Sequence, residues 1–339
     1  MKNIKKDLIS LCESVSVGNI KDASILAASL LGQYAEVKTN DKNQTVFAVM
    51  NGERDYTFMV EAHIDQIAFT VTNIDDNGFL TLAKCGGFDL RILPATRVLI
   101  HGKETVKSVF CSTPPHLSKG DKEYSDIAEL KVDSLLGKKA KDIISLGDFV
   151  TYDFNCTELL NDRISGGSID NRAGCVAVIE LARRLSTKKL PFNVIFCLAD
   201  GEELGNRGAI TATYGLSPDE AVAIDVSFAT APDVSDTEAG KLGGGAMLGF
   251  SPILNNKVTK KLEKVAIDNN IPLQYEVMGG RTSTDSDVIS ISRIGVKTGL
   301  LSIPLRNMHT PTETVDLKDI VSLCDILENY ILSGGILND

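Results

Sequence analysis

The second half of the chain alternates apolar runs with helix-like stretches, and this pattern restricts the fold more than any other feature of the sequence. After residue 158, the helix-like stretch 172–185 leads to the apolar run 192–199, and 221–226 is another short apolar run. Short apolar runs without polar alternation are typical of strands that are buried on both faces of a sheet. Because strands that alternate with helices build α/β folds, the sequence predicts an α/β domain with a central sheet flanked by helices.

The same domain is predicted to begin in the first third of the chain. Two helix-like stretches, 2–14 and 19–33, precede the apolar run 45–50, the dipeptide Asn51-Gly52 and a second run, 56–62. Asn-Gly is a strong signal for a two-residue hairpin turn, so the two runs are predicted to pair as antiparallel strands. Antiparallel strands next to the strands of an α/β layer would make the central sheet mixed.

Between residues 69 and 158 the sequence changes to short β-like runs separated by Gly, Pro and Asp. Short strands with turn signals at close intervals are typical of a small all-β unit. We therefore predict a discontinuous catalytic α/β domain, residues 1–68 and 159–339, with a small β-barrel domain inserted at 69–158. The insert is nearly neutral, so it offers no basic face for nucleic acid.

Charge and cysteine content exclude several classes of protein. The chain has 339 residues and a formal net charge of −10, which argues against nucleic acid as a partner. No uninterrupted apolar stretch approaches the roughly 18–20 residues of a membrane span, so we expect no membrane partner. Polar residues interrupt the apolar positions of the N-terminus, which predicts an amphipathic helix there and no signal peptide. Seven cysteines without a C-x-x-C pair indicate reduced thiols and a cytoplasmic protein.

Polar residues follow or accompany the predicted elements of the α/β layer at five places. These are His63-Ile64-Asp65 after 56–62, Asp170 before 172–185, Asp200-Gly201-Glu202-Glu203 after 192–199, Asp225 within 221–226, and His309 after the predicted strand 296–303. Open α/β sheets bind ligands at the carboxyl ends of their strands. We therefore expect these side chains to converge on one crevice, with Asp170 also favoured by a helix N-terminus.

The residue types in these clusters point to a metal centre. Two His and three or four carboxylates, with no Cys among them, suit a divalent ion such as Zn, Co or Mn and not a structural thiolate site. Five candidate ligands exceed the three protein ligands of a mononuclear hydrolytic zinc, but they fit two ions that share a bridging carboxylate. Adjacent Glu202 and Glu203 then take separate roles, one binding metal and one moving protons. We predict two divalent ions per subunit, Zn or Co, with Mn as the alternative.

Six segments in order resemble the M42 family of co-catalytic metallo-aminopeptidases, which includes glutamyl and tetrahedral aminopeptidases. They are AHIDQIAF (62–69), SIDNRAGC (168–175), DGEELGNRGA (200–209), AVAIDV (221–226), GGRTSTDSD (279–287) and IPLRNMHTPTE (303–313). The resemblance runs over nearly the whole chain. It implies a fold of the zinc-peptidase type and the hydrolysis of N-terminal residues from peptide substrates. It also implies a homo-oligomer, with a dimer as the building block and a dodecamer as the large form, in which the inserted domain serves assembly and substrate access.

The resemblance further implies a ligand set for both ions. His63, Asp170 and Asp225 would hold one ion. Asp170 would bridge to a second ion, which Glu203 and His309 would also bind.

The resemblance also implies roles for two residues that are not ligands. At two further positions the chain differs from the family pattern. Glu202 would act as general base and then as general acid, and Asp65 would accept a hydrogen bond from the His63 ring and orient it. Where the family has His-x-Asp-Glu-Ile-Gly, this chain has Gln66 and Ala68. Neither position is a ligand, so we expect activity to be retained with a changed charge near the first ion.

Two alternatives stay open from the sequence. One is a deacylase or another amide or glycan hydrolase on the same scaffold. The long interval between His63 and Asp170 favours the aminopeptidase, because the related M20 enzymes carry their extra domain before the last His. The other alternative is a non-catalytic, oligomeric binding protein, and the complete ligand set together with Glu202 argues against it.

Overall fold

A computed structural model describes residues 1–117, 124, 126–232, 234–235, 237 and 239–338 of the chain. Contacts between residues divide the chain into two units. We call Met1–Asp65, Cys156–Met308 and Thr312–Asp339 the α/β unit, and Gln66–Asn155 with His309–Pro311 the barrel unit. The assignment of residues 1–68 and 159–339 to catalysis, and of 69–158 to assembly and substrate access, stays a prediction.

The α-helices among the described residues are α1 (Lys2–Cys12), α2 (Asp22–Leu31), α3 (Ala140–Ile143), α4 (Ile169–Leu185), α5 (Arg207–Leu216), α6 (Asn256–Asp268), α7 (Ser286–Ile289) and α8 (Leu317–Leu332). The strands are β1 (Val37–Thr39), β2 (Val46–Met50), β3 (Arg54–His63), β4 (Ala68–Ile74), β5 (Phe79–Cys85), β6 (Arg97–His101), β7 (Thr105–Phe110), β8 (Lys131–Asp133), β9 (Phe149–Tyr152), β10 (Thr157–Leu159), β11 (Arg163–Gly166), β12 (Phe192–Ala199), β13 (Glu220–Phe228), β14 (Ala246–Phe250), β15 (Leu273–Val277), β16 (Lys297–Arg306) and β17 (Glu313–Asp316). The remaining helical segments are short 3-10 turns.

The α/β unit contains one eleven-stranded mixed sheet in the order β1-β2-β12-β3-β13-β16-β17-β11-β10, with β14 paired to β16 and β15 paired to β14. Strand β3 runs parallel to β12 and β13, and β13 runs parallel to β16. Helix α4 packs on β3, β12 and β13, while α5 and α7 pack on neighbouring strands. The predicted fold class, a mixed sheet flanked by helices, is confirmed.

Strand register places the ends of the four parallel strands at one edge of the sheet. His63, the last residue of β3, lies opposite Ala199, the last residue of β12. In β13, Ala223 pairs with Glu61 of β3, so Asp225 is two residues further toward the same edge. Parallel strands direct their carboxyl ends the same way, which is why residues far apart in sequence meet here.

The predicted hairpin between β2 and β3 is wrong. Strand β12 lies between them, antiparallel to β2 and parallel to β3. At the turn, the Gly52 amide donates to the Asn193 side chain at 3.0 Å. A Cβ on Gly52 would come within 2.2 Å of the Phe192 backbone. Glycine is therefore needed here because the start of β12 passes the turn closely, and not because two strands pair directly across it.

The barrel unit contains a closed six-stranded barrel in the order β4-β5-β8-β7-β6-β9, and the strand pairs are all antiparallel. Its interior is filled by apolar side chains that are almost fully buried, among them Phe69, Val98, Ile100, Phe110 and Val150. The Phe69 ring stacks on Phe88 with 4.0 Å between ring centroids. The prediction of a small β-barrel is confirmed.

Helix α8 belongs to a long apolar stretch. Residues Leu317–Leu337 are long and apolar enough to cross a membrane, although 56% of the most apolar window is buried inside the protein. The helix packs against α4 and α6, and its Tyr330 hydroxyl donates to the buried Glu220 carboxylate. These contacts are those of a core helix in a folded domain.

The same helix anchors a glycine-rich loop. The two oxygens of the buried Asp319 carboxylate accept the amides of Gly243 and Gly245, at 2.8 and 2.7 Å. Both glycines have positive φ, 80° and 96°, which an L side chain would strain. The backbone amides of the run Gly243-Gly244-Gly245 thus bind the Asp319 side chain of the same protein.

Asp319 should make stability depend on pH. Burial raises the pKa of Asp319 to about 7, whereas an unfolded Asp titrates near ~3.9. Between these values the folded chain holds a proton that the unfolded chain has lost, so this group lowers the free energy of unfolding as pH rises from about 4 to 7. In Asp319→Asn, we expect a flatter pH dependence and an overall loss of about 1–2 kcal/mol, because an amide accepts at only one atom. Urea unfolding at pH 5 and pH 7.5 tests this, and an unchanged slope would contradict it.

Candidate metal centre

Three predicted ligands lie together at the edge where the parallel strands end. One ligand atom each of His63, Asp170 and Asp225 lies within 4.8 Å of the others. The Nε2 atom of His63 is 3.1 Å from Asp170 Oδ1 and 3.7 Å from Asp225 Oδ1. One ring nitrogen thus faces two carboxylates, which is the arrangement expected of three ligands around one cation.

Local structure holds each of these ligands. His63 ends β3 and Asp225 lies in β13, so the sheet positions both. Asp170 precedes the regular part of α4, and its amide donates to Glu313 Oε2 at 3.1 Å. The next side chain, Asn171, donates to the Ile224 carbonyl at 2.7 Å and accepts from the Gly174 amide at 3.0 Å. These bonds join the start of α4 to β13, so Asp170 is fixed next to Asp225.

Burial of the charged side chains of these three residues costs free energy when no cation is bound. His63, Asp170 and Asp225 are each less than a tenth exposed. Burial raises the pKa of Asp225, with the neighbouring Asp170 carboxylate adding to the shift. Burial opposes protonation of His63, but its contacts with Asp170, Asp225 and Asp65 hold its pKa well above the ordinary value. Buried carboxylates that cannot reach water need a positive partner, and a divalent ion supplies it.

Asp65 connects this group to the predicted general base. Its Oδ1 accepts the Glu202 amide at 2.9 Å and its Oδ2 accepts the Glu203 amide at 3.2 Å. Hydrogen bonding around Asp65 keeps its pKa below the usual value despite burial. In the absence of a cation, burial raises the pKa of Glu202 to about 9 and that of Asp200 to about 7. A divalent ion next to Glu202 would lower its pKa and favour the ionised form that a general base needs. The loop that carries Glu202 is therefore held by a carboxylate two residues after a candidate ligand.

The contact between Asp65 and the His63 ring is longer than expected. His63 Nδ1 lies 3.5 Å from Asp65 Oδ1, and it makes no hydrogen bond of good geometry within the described residues. Electrostatic attraction acts at this distance, but the stronger contacts of Asp65 are those with the two amides. The orienting role of Asp65 stays a prediction.

The ligands assigned to a second ion fall in different units. Glu203 is a half-buried residue of the α/β unit, whereas His309 groups with the barrel unit. Within the barrel unit, the Tyr152 hydroxyl donates to the His309 carbonyl at 3.5 Å. A Cβ on Gly87 would lie 3.1 Å from His309 Nδ1, so a glycine at this position leaves room for the ring. The second ion stays a prediction.

The sequence pattern does not indicate the contacts that several other residues make near the predicted ligands and the predicted base. Glu313 lies in the last of the six segments but had no assigned role, and it binds the Asp170 amide. Asn206 and the buried Asp285 form a further pair, in which Asn206 Nδ2 donates to Asp285 Oδ1 at 3.0 Å. Only the three-dimensional contacts identify these residues, because an isolated Asn or Glu has many other uses.

The donor set suits a divalent ion. It offers one imidazole and two carboxylates in a buried space, with an imidazole nitrogen and carboxylate oxygens directed at one another. Zn, Co and Mn accept such nitrogen and oxygen ligands, and none of these three described residues is a cysteine, which separates the group from structural thiolate zinc sites.

Comparisons with known proteins find relatives in both sequence and fold. The family model for M42 glutamyl aminopeptidase matches residues 44–326. The chain is 30% identical over 324 residues to lysyl aminopeptidase of Pyrococcus furiosus, covering 91% of each chain. Its fold is similar to that of aminopeptidase APDkam598 from Desulfurococcus kamchatkensis, with a TM-score of 0.92, 28% identity and coverage of 99% of this chain and 96% of that one. It is also similar to the TET1 peptidase of Pyrococcus horikoshii, which assembles into a tetrahedron or an octahedral shell, with a TM-score of 0.85, 26% identity and coverage of 97% and 99%.

Proposed function

The chain belongs to the M42 glutamyl aminopeptidase family, and from this premise we propose that it removes N-terminal residues from peptides by metal-dependent hydrolysis. The observation that carries the proposal is the buried group of His63, Asp170 and Asp225, with Glu202 linked to it through Asp65. A cation site next to a positioned carboxylate is what amide hydrolysis requires.

We propose that His63, Asp170 and Asp225 bind one divalent ion, and that Asp170, Glu203 and His309 bind a second. Zn or Co is the expected metal, with Mn as the alternative. When bound, such ions polarise the scissile carbonyl and lower the pKa of water. The close approach of His63 Nε2 to the oxygens of Asp170 and Asp225 supports the first of these sites.

The residues of the chain would then move one proton. Glu202 accepts a proton from the attacking water at a side-chain oxygen and returns it to the nitrogen of the leaving amine, so it acts first as base and then as acid. Asp65 keeps Glu202 in place through the Glu202 amide, and it also contacts His63. A substrate with a free N-terminus would bind its uncharged amine near one of these ions, which would make the enzyme an exopeptidase.

We further propose a cytoplasmic homo-oligomer with a dimer as the building block and a dodecamer as the large form. The assemblies formed by the TET1 peptidase support a homo-oligomer. All seven cysteines are free, which is consistent with a reducing compartment. Size-exclusion chromatography with light scattering tests the oligomer, and a monomer at micromolar concentration would contradict it.

A substrate panel tests the activity. Purified protein loaded with Zn, Co or Mn is expected to cleave aminoacyl-p-nitroanilides and short peptides, and to leave the same substrates intact when their N-terminus is acetylated. A chelator should abolish cleavage by removing the ion. Added metal should restore cleavage, because the proposed ligands are side chains that stay in the protein. Cleavage of the acetylated compounds alone would instead indicate the deacylase alternative. No cleavage of any compound by metal-loaded protein would favour the binding protein.

A further inference from the structure

Asn206 connects the proposed general base to a buried carboxylate that the mechanism does not use. Its Nδ2 atom lies 3.0 Å from Asp285 Oδ1 and 3.4 Å from Glu202 Oε1. An amide nitrogen carries two hydrogens, so one Asn side chain can donate to two carboxylates at once. The bond to Glu202 is at the long end of the hydrogen-bond range, as catalytic bonds often are before substrate binds.

The backbone at Asn206 favours this residue type. Asn206 precedes α5 and has φ 59° and ψ 26°, in the left-handed region. Asn adopts this region more readily than other residues with a Cβ, apart from Asp, and Asp cannot donate a hydrogen bond when ionised. Asn206 thus tolerates the left-handed backbone conformation and can still donate hydrogen bonds to both carboxylates.

Asp285 fixes the orientation of the amide. It is 2% exposed and lies immediately before α7, where an Asp commonly caps the helix, yet its side chain makes no cap hydrogen bond. Instead, Asp285 Oδ1 accepts from Asn206. A carboxylate can accept a hydrogen bond from the nitrogen of the Asn206 amide but not from its oxygen, so Asp285 sets which end of the Asn206 side chain faces Glu202.

We propose that Asn206 is a positioning residue for Glu202, oriented by Asp285, and that it holds Glu202 Oε1 so that Oε2 is the oxygen that moves the proton. This inference rests on the proposed function, because it assigns the support of the base in that reaction. Glu202 is then held at two points: its amide binds Asp65, and its side chain binds Asn206. Two-point restraint removes rotamers of Glu202 that direct the carboxylate away from the substrate, and such misplacement is costly to the chemical step.

The test is Asn206→Gly, with Asn270→Gly as the matched control. Glycine tolerates the left-handed backbone at both positions, and Asn270 is exposed, has φ 52° and lies two residues after α6. We expect Asn206→Gly to lower kcat about tenfold on an aminoacyl-anilide, with KM and bound metal changed less than about twofold, because orientation of the base matters in the transition state. Asn270→Gly should match the unmodified chain. An unchanged kcat in Asn206→Gly, or a rise in KM alone, would overturn the proposal.

A double-mutant cycle separates positioning from a structural role. Glu202→Asp keeps a carboxylate but shortens it by one methylene, which moves it away from Asn206. If Asn206 acts through Glu202, adding Asn206→Gly to this variant should change kcat less than about twofold. An additional tenfold loss would overturn the proposal, because it would show an effect independent of Glu202. Absence of activity in the unmodified, metal-loaded protein would contradict the proposed function itself, which keeps the two failures distinct.

Discussion

Glu202→Gln is expected to lower kcat by about 10²–10⁴-fold, because general acid–base catalysis contributes an effect of this size. Glutamine has the same shape as glutamate and can still accept the Asn206 hydrogen bond at its oxygen, but it cannot take a proton. The Glu202 amide, which binds Asp65, is unchanged by the substitution. We therefore expect KM and bound metal to stay close to those of the unmodified chain.

Metal analysis and steady-state kinetics on the same preparations measure this effect. Glu104→Gln is the matched control, because Glu104 is an exposed residue of the barrel unit and undergoes the same chemical change. Its kcat should equal that of the unmodified chain. Retention of more than about a tenth of kcat in Glu202→Gln would assign proton transfer to another group.

The sequence predicts the main architecture because strands and ligands carry strong local signals. The apolar run of β12 and the acidic residues that follow it identify a buried strand and its functional end. His63 and Asp225 are separated in sequence, but the rule that parallel strands end at one edge brings them together, and Asp170 joins them from the start of α4. The structure brings one ligand atom of each within 4.8 Å of the others, and their role as metal ligands stays a prediction.

Other features could not be obtained from local patterns. The hairpin signal at Asn51-Gly52 is local, whereas the insertion of β12 between β2 and β3 is decided by pairing over about 140 residues of chain. The contact between Asn206 and Asp285 likewise joins residues 79 positions apart in sequence. An Asn before a helix has a common capping use, so its type alone does not indicate that it donates to a catalytic carboxylate.

Asp170→Asn is expected to abolish measurable activity and to reduce bound metal most strongly of all single ligand variants. In the proposed centre Asp170 is shared by both ions, so its loss weakens two sites, whereas Asp225→Asn or His309→Ala weakens one. Asn keeps the shape of the side chain, and the Asp170 amide retains its bond to Glu313. The expected drop in kcat/KM is at least about 10³-fold, since a bridging ligand orients both ions.

Asp170→Asn should lower activity, but it should raise the free energy of unfolding of the metal-free protein. Without a cation, Asp170 and Asp225 are buried carboxylates that face the same His63 nitrogen, and the Asp170 charge contributes to the raised pKa of Asp225. Removing one charge should therefore stabilise the metal-free protein by about 1 kcal/mol, because the single His63 imidazolium cannot compensate both carboxylates. Metal should raise the melting temperature of the unmodified chain by more than that of Asp170→Asn, because only tight binding to the folded state stabilises it. Equal metal content and an equal metal-dependent shift in both proteins would show that Asp170 does not bridge two ions.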